Sequence, residues 1–195
     1  MITRCTWPGD DPLYVAYHDE EWGVPVRDSR DLFEKLILDG FQAGLSWITI
    51  LRRKDGFLTA FDAFDPEKIA GYGEGDIERL MQDRGIIRNR LKILATIGNA
   101  RAYLDMERDR PGSFSEFLWS FTGGKTLQNN WKNHGELPAA TAQSEAMSRA
   151  LKQKGFKFCG PTICYAFMQA VGMVNDHVTS CFRHAEIVYL SSSST

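Results

Sequence analysis

The stretch "KQKGFKFCGPTICYAF", residues 152–167, decides how the chain is read. A basic amphipathic helix ends at Gly155, a short hairpin follows, and Pro161 opens the next helix, where its missing N–H costs nothing. Gly155 and Gly160 bracket the turn. A turn that leads into a helix start presents unpaired backbone N–H groups and the positive end of the helix dipole. Lys152, Lys154 and Lys157 surround it, which makes a phosphate-binding arrangement. Two readings fit the hairpin alone: a helix-hairpin-helix clamp on a DNA backbone, or an ordinary corner between two packed helices.

Outward from the hairpin, helical patterns fill the chain. "DDPLYVAYHDEE" offers Asp11 as N-cap and Pro12 at the first helical position. "DSRDLFEKLILDG" carries apolar residues at 32, 33, 36 and 37 and is expected to stop at Gly40. "AGLSWITILRRK" reads as a buried helix with a basic exit. "DPEKIAGY" and "EGDIERLMQDRG" read as short helices. "RNRLKILATIGNARAYLDMERD" predicts about six turns at roughly 3.6 residues each. "SFSEFLWSF" follows with Ser113 as a cap. A weak period-2 pattern appears only in "AEIVYL". Many short helices imply an all-α fold with orthogonal packing. The polar stretch 122–143 reads as a functional or mobile loop, with His134 exposed on it. The basic cluster Arg84, Arg88, Arg90 and Lys92 reads as a solvated face. A single domain over 1–190, either one body or two helical lobes around a cleft, and a disordered tail over 191–195 are expected.

The 195 residues are 43% hydrophobic and 25% charged, enough for a real core. The N-terminal stretch lacks a signal-peptide core and no apolar run reaches membrane-spanning length, so a cytoplasmic location is expected. With a net charge of −2, any nucleic-acid surface must be a local patch. In a reducing compartment the four cysteines should not form disulfides. Cys159 and Cys164 sit among apolar neighbours and read as buried hydrophobes. Cys5 and Cys181 differ, each having a histidine (His18, His177) in a plausible partner position.

The blocks "RCTWPGDDPLYVAYHDEEWGVP", "GFQAGLSWITIL", "GIIRNRLKI", "NARAYL", "FLWSF" and "KGFKFCGPTICYAFMQAVGMVNDHV" closely resemble the type I DNA-3-methyladenine glycosylases, in order from about residue 3 to Cys181. The resemblance implies a helix-hairpin-helix glycosylase-like bundle with a zinc site joining the N- and C-terminal segments. It implies monofunctional removal of 3-methyladenine from double-stranded DNA, with the free base as product and no lyase step, by a monomer. The zinc ligands it implies are Cys5, His18, His177 and Cys181, one zinc per chain. Two thiolates and two imidazoles leave no open position for water, so such a zinc is structural.

Removing a base requires that it be flipped out and held against aromatic and polar groups. By the resemblance, Tyr17 and Trp47 contact the methylated adenine, with Trp7 and Tyr14 close by. Gln42, Gly44 and Ser46 belong to the "QAGLSW" block, where glycine would let a base approach the backbone. Gly155, Lys157 and Gly160 would hold the DNA backbone. Trp22 reads as core. The family usually carries a glutamate where this chain has Asp39, one methylene shorter. That position should read the adenine edge, since a carboxylate accepts from an exocyclic amine. Asn175 stands where related enzymes carry an aspartate, and no strong general base is assigned. Asp176 is expected to support His177 from behind. Other readings are a zinc-stapled helix-hairpin-helix DNA-binding module without catalysis, a metal-dependent hydrolase, which a closed site disfavours, and a strand-cleaving lyase, for which Lys157 is the nearest nucleophile.

Overall fold

Side-chain caps set most of the helix starts. The computed structural model describes residues 2–192. Asp11 accepts hydrogen bonds from the backbone N–H of Leu13 and Tyr14 and starts α1 (Pro12–Glu20). Asp28 does the same for α2 (Ser29–Gln42) and Asp65 for α5 (Pro66–Ala70). Asn89 caps α7 (Arg90–Glu107), and Thr141 caps α9 (Ala142–Gln153) in a reciprocal pair with Ser144. Each such cap stabilises its helix by about 1 kcal/mol. The other helices are α3 (Trp47–Leu51), α4 (Lys54–Ala60), α6 (Glu74–Gln82), α8 (Ser113–Ser120), α10 (Pro161–Ala170) and α11 (Phe182–Ser192).

The fold is all-α. Among the described residues the exception is a two-residue parallel pair, β1 (Leu127–Gln128) beside β2 (Val174–Asn175). No described helix is long and apolar enough to cross a membrane. All the buried apolar residues except Ala95 and Ile187 form one continuous cluster, with α2 packed against α10 on one side and α7 and α8 on another.

Several local expectations are corrected. Gly40 does not end α2, which runs on to Gln42. A Cβ at Gly40 would meet Phe158 at 3.4 Å, so the glycine admits the hairpin against the helix. Lys92 is not on a solvated face: its Nζ donates to the carbonyls of Phe41 and Ala43, 2.7 Å each, and caps the C-terminal end of α2. The "AGLSWITILRRK" segment is not one helix: Gly44 turns the chain with a φ of 80° before α3 starts at Trp47, and α3 ends at Leu51 before α4 begins at Lys54. α7 has 18 residues, about five turns rather than six. Ser113 is the first residue of α8 rather than its cap; the Glu107 carboxylate accepts from the N–H groups of Gly112 and Phe114 instead. "AEIVYL" lies in α11, and Ser191 and Ser192 of the expected tail close that helix, while 193–195 lie outside the described residues.

The two ends of the chain meet. Val26 N–H donates to the Val171 carbonyl and Gly23 N–H to that of Ala170. Gly172, at φ 70°, lies so close to this crossing that a Cβ would stand 2.5 Å from the Pro25 nitrogen.

Candidate active site and metal cluster

The N-terminal segment, α2 and the start of α3 wall a cavity of about 450 Å³ with Trp7, Tyr14, Tyr17, Trp22, Asp39 and Trp47. Its remaining lining comes from Lys35, Gln42, the loop residues His134, Leu137 and Pro138, and Ala166 and Gln169 of α10. Aromatic rings contact one another around it: Trp7 lies 4.8 Å from Tyr14 and 5.2 Å from Trp22, and Tyr17 lies 5.4 Å from Trp47. Holding a purine between two rings takes about 7 Å, twice a carbon contact distance. The Tyr17 and Trp47 rings, 5.4 Å apart, stand closer together than that.

Three buried polar atoms here have no hydrogen-bond partner: Trp7 Nε1, Trp47 Nε1 and Asp39 Oδ2. An unmade buried hydrogen bond costs about 1–3 kcal/mol. Three of them on side chains lining one cavity mark it as a place where a polar ligand completes the set. Asp39 is 1% exposed, and its Oδ1 accepts from Lys35 Nζ at 2.5 Å. Burial pushes the Asp39 carboxyl upward, and Lys35 pulls it back. Burial, then the Asp39 and Glu21 charges, keep the Tyr17 hydroxyl protonated.

Cys5, His18, His177 and Cys181 converge behind this cavity. All four are buried, and their ligand atoms lie within 4.8 Å of one another. Cys181 Sγ stands 3.5 Å from His18 Nε2 and 3.6 Å from His177 Nδ1, and Cys5 Sγ stands 3.7 Å from His177 Nδ1. A tetrahedral ion held at about 2.3 Å by sulfur and about 2.0–2.1 Å by nitrogen sets S···N separations of about 3.5 Å. The donor set and its spacing fit such an ion. Each imidazole is also fixed from behind: His18 Nδ1 donates to Asp19 at 2.8 Å, and His177 Nε2 to the Trp22 carbonyl at 3.0 Å. Gly23 leaves room for that contact, since a Cβ there would approach His177 Nε2 to 3.0 Å.

Asp176 therefore does not support His177. It accepts from Asn129 Nδ2, Trp131 Nε1, Tyr165 Oη and Gln169 Nε2 at 2.6–2.8 Å. All four lone-pair positions of the carboxylate are taken, so it ties the 129–131 loop to α10. Asn175 is likewise structural, donating to Gln128 Oε1 and the His184 carbonyl.

Residues 7–184 match the methyladenine glycosylase family. The chain belongs to that family. It is 54% identical over 180 residues to DNA-3-methyladenine glycosylase 1 of Escherichia coli (strain K12), covering 92% of this chain and 96% of that one. A crystal structure of 3-methyladenine DNA glycosylase I superposes with a TM-score of 0.90 at 53% identity, covering 92% and 98% of the two chains. A phenylalanine-for-tyrosine variant of a 3-methyladenine DNA glycosylase I, solved in complex with 3-methyladenine, superposes with a TM-score of 0.88 at 38% identity, covering 92% and 96%.

Within this methyladenine glycosylase, the cavity gathers Trp7, Tyr14, Tyr17, Asp39, Gln42 and Trp47 from the residues expected there. Gly44 and Ser46 are exposed on the turn before α3 and do not line it. Trp22, expected to be core, is buried and also lines it, its ring 4.6 Å from His177. Lys35, His134 and Gln169 are additions. Lys35 precedes Asp39 by one helical turn, a spacing visible in the sequence. His134 and Gln169 reach the site through a loop and a helix that no local pattern joins to α1. At the hairpin, Gly155 (φ 95°) and Gly160 flank Lys157, whose backbone N–H and carbonyl are both bound by the Asn99 amide while its side chain is exposed.

Proposed function

We propose that this cavity receives a 3-methyladenine nucleotide flipped out of duplex DNA, and that the protein hydrolyses its N-glycosidic bond. The observation that carries the reading is the trio of unpaired buried polar atoms, Trp7 Nε1, Trp47 Nε1 and Asp39 Oδ2, on side chains lining one aromatic cavity. N3-methylation makes the base a cation, so it leaves as a neutral molecule and needs little acid assistance. As the C1′–N9 bond breaks, water attacks C1′ and its proton passes to solvent. Trp47 and Tyr17 supply stacking surface, Asp39 accepts from the exocyclic amine, and Trp7, Tyr14 and Gln42 complete the wall. Enclosure by these rings strengthens each polar contact by excluding water.

The hairpin with Gly155, Lys157 and Gly160 is the proposed grip on the DNA backbone. Lys157→Ala is expected to lessen the slope of log affinity against log salt by about 0.9, one phosphate contact. An unchanged slope in a binding titration argues that the hairpin does not touch phosphate. Zinc is the proposed occupant of the Cys5–His18–His177–Cys181 cluster. When bound it supplies a closed structural cross-link, and the four side chains orient the segment that bears Trp7, Tyr14 and Tyr17.

Chromatography of bases released from methylated DNA tests the proposal directly. The protein is expected to release 3-methyladenine, leave the abasic site intact, and give no covalent adduct on borohydride treatment. Absence of 3-methyladenine release overturns the function. An adduct overturns the monofunctional assignment.

A further inference from the structure

Lys35 takes no part in the chemistry just described, yet it stands in its midst. One turn before Asp39 on α2, its Nζ lies 2.5 Å from Asp39 Oδ1 and 3.9 Å from the centre of the Trp47 ring. It is the hydrogen-bond donor found on Asp39 among the described residues. The lysine side chain is 17% exposed and its partner 1%. Helix stability does not account for the pair. A lysine placed N-terminal to its acid is the weaker order for an i, i+4 bridge, and enclosing both charges costs desolvation that the attraction barely offsets.

We propose that Lys35 is a positioning residue for base recognition: its ammonium anchors Asp39 Oδ1, holds Asp39 as a carboxylate in a buried site, and leaves Oδ2 to accept the exocyclic amine. The assignment rests on reading the cavity as the 3-methyladenine site. A carboxyl as enclosed as Asp39 is driven toward its neutral form, whose O–H faces the amine with a donor instead of an acceptor. Lys35 opposes that. The other groups facing the pair are Tyr17 from α1, Cys164 from α10 and His134 from the loop, with Glu21 and Lys54 on the far side of Lys35. Among these, Lys54 is the further cation, and it pairs with Glu21 at 3.1 Å. The same ammonium over the Trp47 ring fixes the stacking surface beside the acceptor.

The sign of the pH effect follows. Binding needs the carboxylate, so it fades as pH falls through the value at which Asp39 protonates. Without Lys35 that value rises, and the loss begins at a higher pH. The test is a titration of 3-methyladenine against tryptophan fluorescence, from pH 5 to 9, for the wild type, Lys35→Met and Lys35→Arg. Protonation of the ligand is common to all three, so differences report the protein. Lys35→Met is expected to bind about tenfold more weakly at neutral pH, with its acidic limb moved to higher pH, while Lys35→Arg stays near the wild type. If Lys35→Met melts below the assay temperature, Lys35→Gln makes the same comparison. A methionine or glutamine variant that binds as tightly as the wild type, or more tightly, with an unmoved acidic limb overturns the assignment while the function stands. A wild type that neither binds nor releases 3-methyladenine overturns the function itself, and the assignment with it.

Discussion

Cys181→Ala is expected to lower the melting temperature by roughly 10 °C or more. Losing a metal staple belongs to the class of changes that cost about 4 kcal/mol, and in a chain of this size each kcal/mol moves the midpoint by about 2–4 °C. The reason is geometric. Cys181 Sγ is 3.5 and 3.6 Å from the nearer imidazole nitrogens of His18 and His177, so its loss opens the cluster between the N- and C-terminal segments. Metal analysis of the purified wild type should find about one zinc per chain, and a strong chelator should bring its melting temperature toward that of the variant. Metal-free wild type that melts at the same temperature as the untreated protein would sink the assignment of a structural zinc.

Asp39→Asn is expected to weaken binding of free 3-methyladenine by roughly ten- to a hundredfold, the value of one charge-assisted hydrogen bond of about 1.5–3 kcal/mol. The substitution keeps the shape and turns half of the acceptor face into a donor. It also removes the charge that Lys35 faces at 2.5 Å. Asp39→Glu restores the carboxylate with one more methylene of reach and should keep or raise affinity. Calorimetric or fluorescence titration of the three proteins decides it. If asparagine binds and excises like aspartate, position 39 does not read the base, and recognition rests on Tyr17, Trp47 and their neighbours.

Much of this could be read before any coordinates. Asp11 and Pro12 announce α1, and the apolar spacing of α2 comes from residues within two turns. Two thiols and two imidazoles, joined to the resemblance, pointed to one four-residue cluster, and all four side chains meet in the fold. What escaped depends on partners far along the chain. Gly40 looks like a helix stop until Phe158 is seen to need its space. Lys92 belongs to a basic run, yet two carbonyls at the end of α2 turn it inward. "AEIVYL" alternates over too few residues to outweigh the helix that continues on both sides. His134 enters the cavity wall because Asp176 pulls its loop onto α10 through Asn129 and Trp131, and nothing near His134 says so.

The meeting of the two chain ends also fixes an order of events during synthesis. Cys5 contacts a residue 172 positions later, and His18 one 163 positions later. At about 5–20 residues per second, roughly 10–30 s separate the emergence of the first partners from that of the last. Through that interval the segment bearing Trp7, Tyr14 and Tyr17 has no His177 or Cys181 to hold it, and closing so long a loop is among the later and slower steps available to the chain. The aromatic cavity is thus walled by Trp7, Tyr14 and Tyr17 long before the cluster behind it can close, so a product truncated before His177 would carry those walls without the two later side chains that meet Cys5 and His18.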